Sequence, residues 1–289
     1  EGQGQYALLI LFPTIIYTLF NSGVPTASVY FIAQKKYSLN EVYSTNFFSG
    51  LLLSLFSFII GLLIVYSLKD HFFEGVSNQF LLCALLVLPL IYTQKSFQSI
   101  FQGKEDFEKF NIIVILNQFG LLLFSVVLVW FFQLGVLGAV ASFFATQLLM
   151  LVVSAVLLKK TYGLFWPNRF SIAYLKESLV YGLKGHVSNV LTFINYRLDM
   201  FIIAFLLDDM AVGVYFIAVA LVEKIWIVSH SVSTVLFARV STLTSNVERN
   251  NFTVVAARNT LLLTAVGGVF LAIGGNWLIV PVFGGEYAE

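Results

Sequence analysis

Lys95, Lys184, Arg197 and Lys224, together with Asp199 and Glu223, are charged residues set inside long apolar runs of a chain that is 59% hydrophobic and only 11% charged. A charge at the centre of a bilayer costs at least about 2.5 kcal/mol even on the most lenient scale, so residues of this kind turn to a polar interior and not to lipid. Four cations against two anions leave a positive excess in such an interior. That excess suits an anionic substrate group such as a phosphate.

Spacing says which of these residues share a surface. On the run from 179 to 205, Lys184, Ser188, Thr192, Asn195 and Asp199 fall at about 0°, 40°, 80°, 20° and 60° around a helix, one stripe that predicts a cavity wall. Arg197 stands about 160° from Asp199, too far round to pair with it on one face, and points to outer headgroups or a neighbouring helix. Glu223 and Lys224 lie near the middle of the next apolar run, where snorkelling reaches poorly; they act in the interior or form a structural ion pair with another helix. Lys184, about five residues from its helix end, either lines the cavity or snorkels to the headgroups. Shorter stripes join Thr14, Thr18, Asn21, Pro25 and Ser28, then Tyr92, Lys95, Ser99 and Gln102, each within about 80°, and Glu223, His230 and Thr234 on one face. At the uncharged positions, hydrogen bonding between helices explains the pattern as well as substrate contact does.

The elements that must position these residues are membrane spans. Mean hydropathy is +0.90, far above that of a soluble domain. A span needs about 20 mainly apolar residues, and eight windows qualify: 5–33, 47–68, 80–102, 112–132, 135–158, 179–205, 212–235 and 260–283. The expected fold is an all-α polytopic bundle. Pro13, Pro25, Pro89 and the glycines 267, 268, 274 and 275 interrupt three of the windows, which suits a moving transporter, with plain kinks as the alternative. One set of loops carries eleven Lys and Arg (Lys35, Lys36, Lys104, Lys109, Lys159, Lys160, Arg169, Lys176, Arg239, Arg249, Arg258), whereas the alternate set carries only Lys69. By the positive-inside rule the first set is cytoplasmic and residue 1 lies outside.

The segment 159–178 is the expected cytoplasmic seam between an N-terminal lobe, 1–158 with five spans, and a C-terminal lobe, 179–289 with three. Within it, "FSIAYLKESLVYG" predicts a short helix along the inner surface with Trp166 and Tyr174 at headgroup level. The openings "GQYALLILF" at Gly4 and "GVYFIAVAL" at Gly213 suggest a parallel repeat offset by 209 residues. The chain starts without Met and stops in "FGGEYAE", which we read as a fragment lacking both ends, with no signal peptide. Cys83, alone, is expected to pack.

Several chemistries find no home in these residues. His71, His186 and His230 have no metal-ligand spacing, so no metal is expected, and no motif calls for a cofactor. A net charge of +1 gives no reason to expect nucleic acid as a partner. The outer loops are too short for a catalytic apparatus, which argues against an enzyme.

Four stretches carry a family likeness: "GQYALLILFPTIIYTLFNSGVPTASVYFIAQKK", "FQGKEDFEKFN", "YGLKGHVSNVLTFINYRLDMFIIAFLLDDMAVGVYFIAVAL" and "VFGGEYAE". With them the whole chain resembles the polysaccharide flippases of the multidrug/oligosaccharidyl-lipid/polysaccharide exporter superfamily, the group that includes Wzx-type O-antigen flippases. The resemblance implies helices two to nine of a twelve- or fourteen-helix, two-lobed transporter of the bacterial inner membrane. It also implies a cationic cavity that moves an undecaprenyl-diphosphate-linked oligosaccharide to the outer leaflet by alternating access. On that reading Lys95, Lys184 and Lys224, with Asn195 and Asn21, contact the substrate, and Asp199, Glu223 and Arg197 form the coupling charges. Expected partners are the polyprenyl diphosphate substrate, membrane lipids and a polysaccharide polymerase complex. The chain departs from the family at Lys184 and Ala238, where proline is frequent. A multidrug extruder of the same superfamily is the alternative, with an anionic cavity, and a membrane glycan polymerase or ligase is a third reading.

Overall fold

The structure is a computed structural model and describes residues 2–72, 77–206, 219 and 222–283. Among these residues every regular element is helical. The first span is broken: α1 (Gly2–Phe20) and α2 (Val24–Ala33) meet at 53°. Asn21 makes the break, its amide donating to the Tyr17 and Thr18 carbonyls while its Oδ1 accepts the Gly23 N–H at 2.9 Å. Gly23 takes a left-handed φ of 68°, and Pro25 stands in the first turn of α2, where its missing N–H costs no hydrogen bond.

Local chemistry also sets the other helix starts. α3 (Leu39–Phe72) opens with a capping box in which Ser38 and Glu41 bond reciprocally, so it begins well before the apolar window. α4 (Asn78–Leu85) and α5 (Leu88–Gly103) make one span interrupted by a turn, with Pro89 in the first turn of α5. α6 (Phe107–Ser125) is capped by Asp106 and continues into π-helical turns at Val126–Phe131, and α7 (Gly135–Tyr162) ends at Gly163 with φ 70°. α8 (Ile172–Leu206) is followed by a 3-10 turn at Glu223–Ile225, α9 (Trp226–Thr242) and α10 (Asn246–Phe283).

Five of these helical stretches are long and apolar enough to cross a membrane, or six with the bent pair. They cover the first to fifth and the eighth expected windows. The sixth window lies within α8, and the seventh falls partly outside the described residues, as does the Gly213 end of the repeat.

Two compact units, Glu1–Val190 and Leu191–Glu289, divide the chain within α8. In the first unit α3 packs on α5 through small residues, Gly50 facing Tyr92 and Ser96 and Ser57 bonding Tyr92. This is how helices associate where lipid removes the hydrophobic drive between them, because small side chains let backbones approach. Leu52, Leu55, Phe56, Ile59 and Leu63, on the opposite side of α3, stay exposed as a lipid-facing surface. In the second unit α9 packs along α10.

Two expectations from sequence are corrected here. The segment 170–182 forms no separate surface helix but leads, from Ile172, into the continuous α8, and Tyr174 is fully buried. Its hydroxyl joins Ser28 at 2.9 Å and Asn46 at 3.0 Å, and Asn46 donates to Ser28 at 2.8 Å, so three helices share one closed polar triangle. Burying a tyrosine needs such partners. Cys83 is exposed on α4 instead of packed within the chain.

Candidate functional site

The polar face of α5 meets the middle of α6 in a narrow cleft. Gln94, Lys95 and Gln98 line it from α5, and Ile113, Val114, Asn117 and Gln118 from α6, around a volume of about 90 Å³. At a rise of 1.5 Å per residue, Lys95 lies eight residues, or about 12 Å, from the end of α5 at Gly103. That is close to the middle of a hydrocarbon layer about 30 Å thick, beyond easy snorkelling.

The lining chemistry suits a retained positive charge. Gln94 and Gln98 are buried and in loose contact at 3.4 Å, whereas Lys95 is exposed within the cleft. Four side-chain amides line the cleft with Lys95, and the lining residues include no carboxylate. Amide carbonyls can solvate a cation without cancelling its charge. The volume holds about three waters at liquid density; it fits a phosphate oxygen cluster, not a sugar chain.

The expected α5 stripe is therefore split. Tyr92 turns into the α3 interface, bonding Ser57 at 2.7 Å and meeting Tyr17 edge-on, and Ser99 is also buried, so only Lys95 of that set opens into the cleft. Gln94, Gln98, Asn117 and Gln118 were not singled out from the sequence. The signal was present in "NIIVILNQFGLLLFS", where Asn117 and Gln118 interrupt an apolar run at mid-span.

The α1–α2 stripe divides in the same way, because the 53° break rotates its two halves apart. Thr14 and Thr18 bond back to carbonyls four residues earlier, Asn21 is engaged at the break, and Ser28 belongs to the Tyr174 triangle. Against this break sits α8. Gly23 and Gly182 approach so closely that a Cβ on Gly182 would lie 2.7 Å from the carbonyl oxygens of Ser22 and Gly23. One turn further on, His186 bonds the Leu19 carbonyl at 2.9 Å.

Lys184 is exposed on α8 in the first unit. In the second unit Asn195 is exposed, and Glu223 and Lys224 form a single 3-10 turn, Glu223 half-buried and Lys224 exposed. The neighbouring Ile225 faces Gly267 of α10, where an added Cβ would meet it at 3.7 Å. The side chains of Arg197 and Asp199 lie outside the described residues.

Among the described residues no group of His, Cys, Asp and Glu is arranged to hold a metal ion. Two charged pairs outside the cleft hold helix ends together: Lys36 pairs with Glu177 at 2.6 Å, and Asp106 with Lys109 at 2.8 Å and the Tyr162 hydroxyl at 3.0 Å. The hydrogen bond to Lys36 holds the Glu177 carboxyl below its ordinary range.

The family described as "Polysaccharide biosynthesis protein" matches residues 1–243. No curated protein matches the sequence. Among solved structures, a MATE protein in complex with MaD5 is similar over 99% of this chain and 69% of its own, with TM-score 0.79 and 14% identity. A MATE protein in the straight conformation aligns with TM-score 0.77 and 15% identity over 98% of this chain and 68% of its own. An outward-facing multidrug resistance MATE family transporter of the MOP superfamily gives 0.66 and 15% over 96% and 64%. The chain thus spans about two thirds of these proteins, and at such identities the likeness is one of fold.

Proposed function

We propose, since this chain belongs to the polysaccharide biosynthesis protein family, that it is a membrane transporter that flips an undecaprenyl-diphosphate-linked oligosaccharide from the inner to the outer leaflet of the bacterial inner membrane. The observation that carries this reading is Lys95, a lysine inside an apolar span that shares its cleft with four side-chain amides and, among the lining residues, no carboxylate. An uncancelled charge at that depth attracts a diphosphate and repels the organic cations that an extruder would carry. Substrate movement by alternating access fits a fold shared with MATE proteins. The protein itself acts without catalysis, supplying surface polysaccharide synthesis such as O-antigen assembly in company with a polymerase complex.

In this reading Lys184, Lys224 and Asn195 extend the cationic wall, and Glu223 and Asp199 bind the coupling proton or cation, with Arg197 as their counter-charge. Asn21 contributes through the break it creates. A second reading, a multidrug extruder, is favoured by one observation, the shared fold with a multidrug resistance transporter.

The two are separated by expressing the full-length protein in a bacterium lacking its own O-antigen flippase. Surface glycan is scored for the wild type, Lys95→Gln, Lys224→Ala and Glu223→Gln at matched membrane levels, beside dye resistance. Flipping predicts glycan rescue by the wild type and a loss of at least tenfold in Lys95→Gln. Undiminished rescue by Lys95→Gln would remove the cleft from the mechanism, and dye resistance without glycan would establish the extruder.

A further inference from the structure

The strap joining α7 to α8, Gly163 to Ser171, turns its backbone inward and its side chains outward. The N–H groups of Asn168 and Arg169 donate to Ser44 Oγ at 3.0 and 3.2 Å, the Ser171 N–H donates to Thr45 Oγ1 at 2.9 Å, and the Tyr43 hydroxyl donates to the Phe165 carbonyl at 3.2 Å. Ser44 and Thr45 are fully buried, and Leu164 anchors the strap in the core. Irregular backbone enters an apolar layer only when its polar groups are satisfied by protein, and here these four are.

What the strap displays is unusual for a surface facing water alone. Phe165, Trp166, Phe170 and Ile172 are 63%, 72%, 47% and 74% exposed. Lys159, Lys160, Arg169 and Lys176 are exposed around them, with the Lys159 ammonium 4.1 Å from the centre of the Phe165 ring. Of the nearby carboxylates Glu177 pairs with Lys36, and Glu41 is held by Ser38 at the start of α3, where it also attracts Arg169. The patch also runs on into the exposed apolar faces of α7, at Val152 and Val156, and of α8, at Val180 and Leu183. A protein partner would have to cover surface that is continuous with the lipid-facing side of the α7 span and the exposed apolar side of α8.

We propose that this strap is a binding foot for anionic phospholipid, its aromatic side chains lodged in the interfacial layer and its four cations holding phosphate headgroups. Aromatic residues collect at this depth, and clustered Lys and Arg beside a span attract anionic headgroups about fivefold per cation. The proposal needs a membrane protein and no particular substrate, so it stands or falls apart from the flippase reading.

The test uses the full-length protein in nanodiscs of phosphatidylcholine into which brominated phosphatidylglycerol or brominated phosphatidylcholine is introduced. Quenching of Trp166 is taken as the difference between the wild type and Trp166→Phe. Half-maximal quenching is expected at a mole fraction at least about fivefold lower for the glycerol lipid, and Lys159→Gln/Lys160→Gln/Arg169→Gln should bring the two lipids together. Equal half-points in the wild type would overturn headgroup selection. Absence of quenching by either lipid would take the strap out of the membrane and overturn the proposal as a whole.

Discussion

The contact between Gly182 and the α1–α2 break can be tested by adding one methyl group. In Gly182→Ala the new Cβ meets main-chain atoms, the carbonyl oxygens of Gly23 and Ser22 at 2.7 Å and the Gly23 carbonyl carbon at 2.8 Å. No rotamer change relieves a main-chain clash, so the cost sits near the upper end for overpacking, about 3 kcal/mol. Displacing α8 also breaks the bond from His186 to the Leu19 carbonyl, about 1 kcal/mol, while alanine's better helix propensity returns about 1 kcal/mol. The net is about 3 kcal/mol of destabilisation. At roughly 2–4 °C per kcal/mol for chains of about 150–250 residues, the thermal midpoint of the detergent-solubilised protein should fall by about 6–12 °C. Gly185→Ala is the control, because nothing lies within 4 Å of its added Cβ; it should be neutral or stabilising by up to about 1 kcal/mol. Equal midpoints for the two variants would refute the close approach of α8 to the break.

Three further outcomes follow from named contacts. Tyr174→Phe removes the hydroxyl that joins Ser28 and Asn46, leaving Asn46 Oδ1 buried without that donor, and should cost about 1–3 kcal/mol in thermal or denaturant unfolding. Asn21→Ala strips the α1–α2 break of its side-chain bonds and should cost about 1 kcal/mol, while Asn21→Asp, which keeps the acceptor for Gly23 but turns a carboxylate toward the Tyr17 and Thr18 carbonyls inside a span, should cost more. Burial by itself raises the Asp106 carboxyl pKa, but the hydrogen bonds from Lys109 and Tyr162 outweigh it and hold the group below its ordinary range. A carboxyl lowered on folding adds stability above its unfolded value of about 3.9, and that stability is lost as pH falls through the folded value. Asp106→Asn keeps the cap acceptor for the Lys109 N–H and should flatten the fall in thermal midpoint between about pH 5 and about pH 3; an unchanged slope would mean the pair does not titrate with folding.

Much of the fold was legible because hydropathy and helix signals are local. Each of the second to fifth windows lies inside an apolar helical span or passes its end by one residue, and the earlier starts at Leu39 and Asn246 are marked by Ser38 with Glu41 and by Ser245 with Glu248. The site was less legible. Stripes were drawn on straight helices, yet Asn21 and Gly23 bend the first span, and Tyr92 and Ser99 lie in helix interfaces while Lys95, close to them around α5, opens to a cleft. Rotation about a helix axis shows which residues are neighbours but not which neighbour helix they meet.

The sequence by itself determined a helical, multi-pass membrane protein, since a run of about 20 apolar residues is a local property of the chain. Only the tertiary structure decided that Lys95 shares a cleft with Asn117 and Gln118, that Tyr174 closes a triangle with Ser28 and Asn46, and that Gly182 rests on the break at Gly23. Those pairings join residues about twenty to more than a hundred positions apart. They follow from how many weak contacts between whole helices add up, a sum that no local pattern contains.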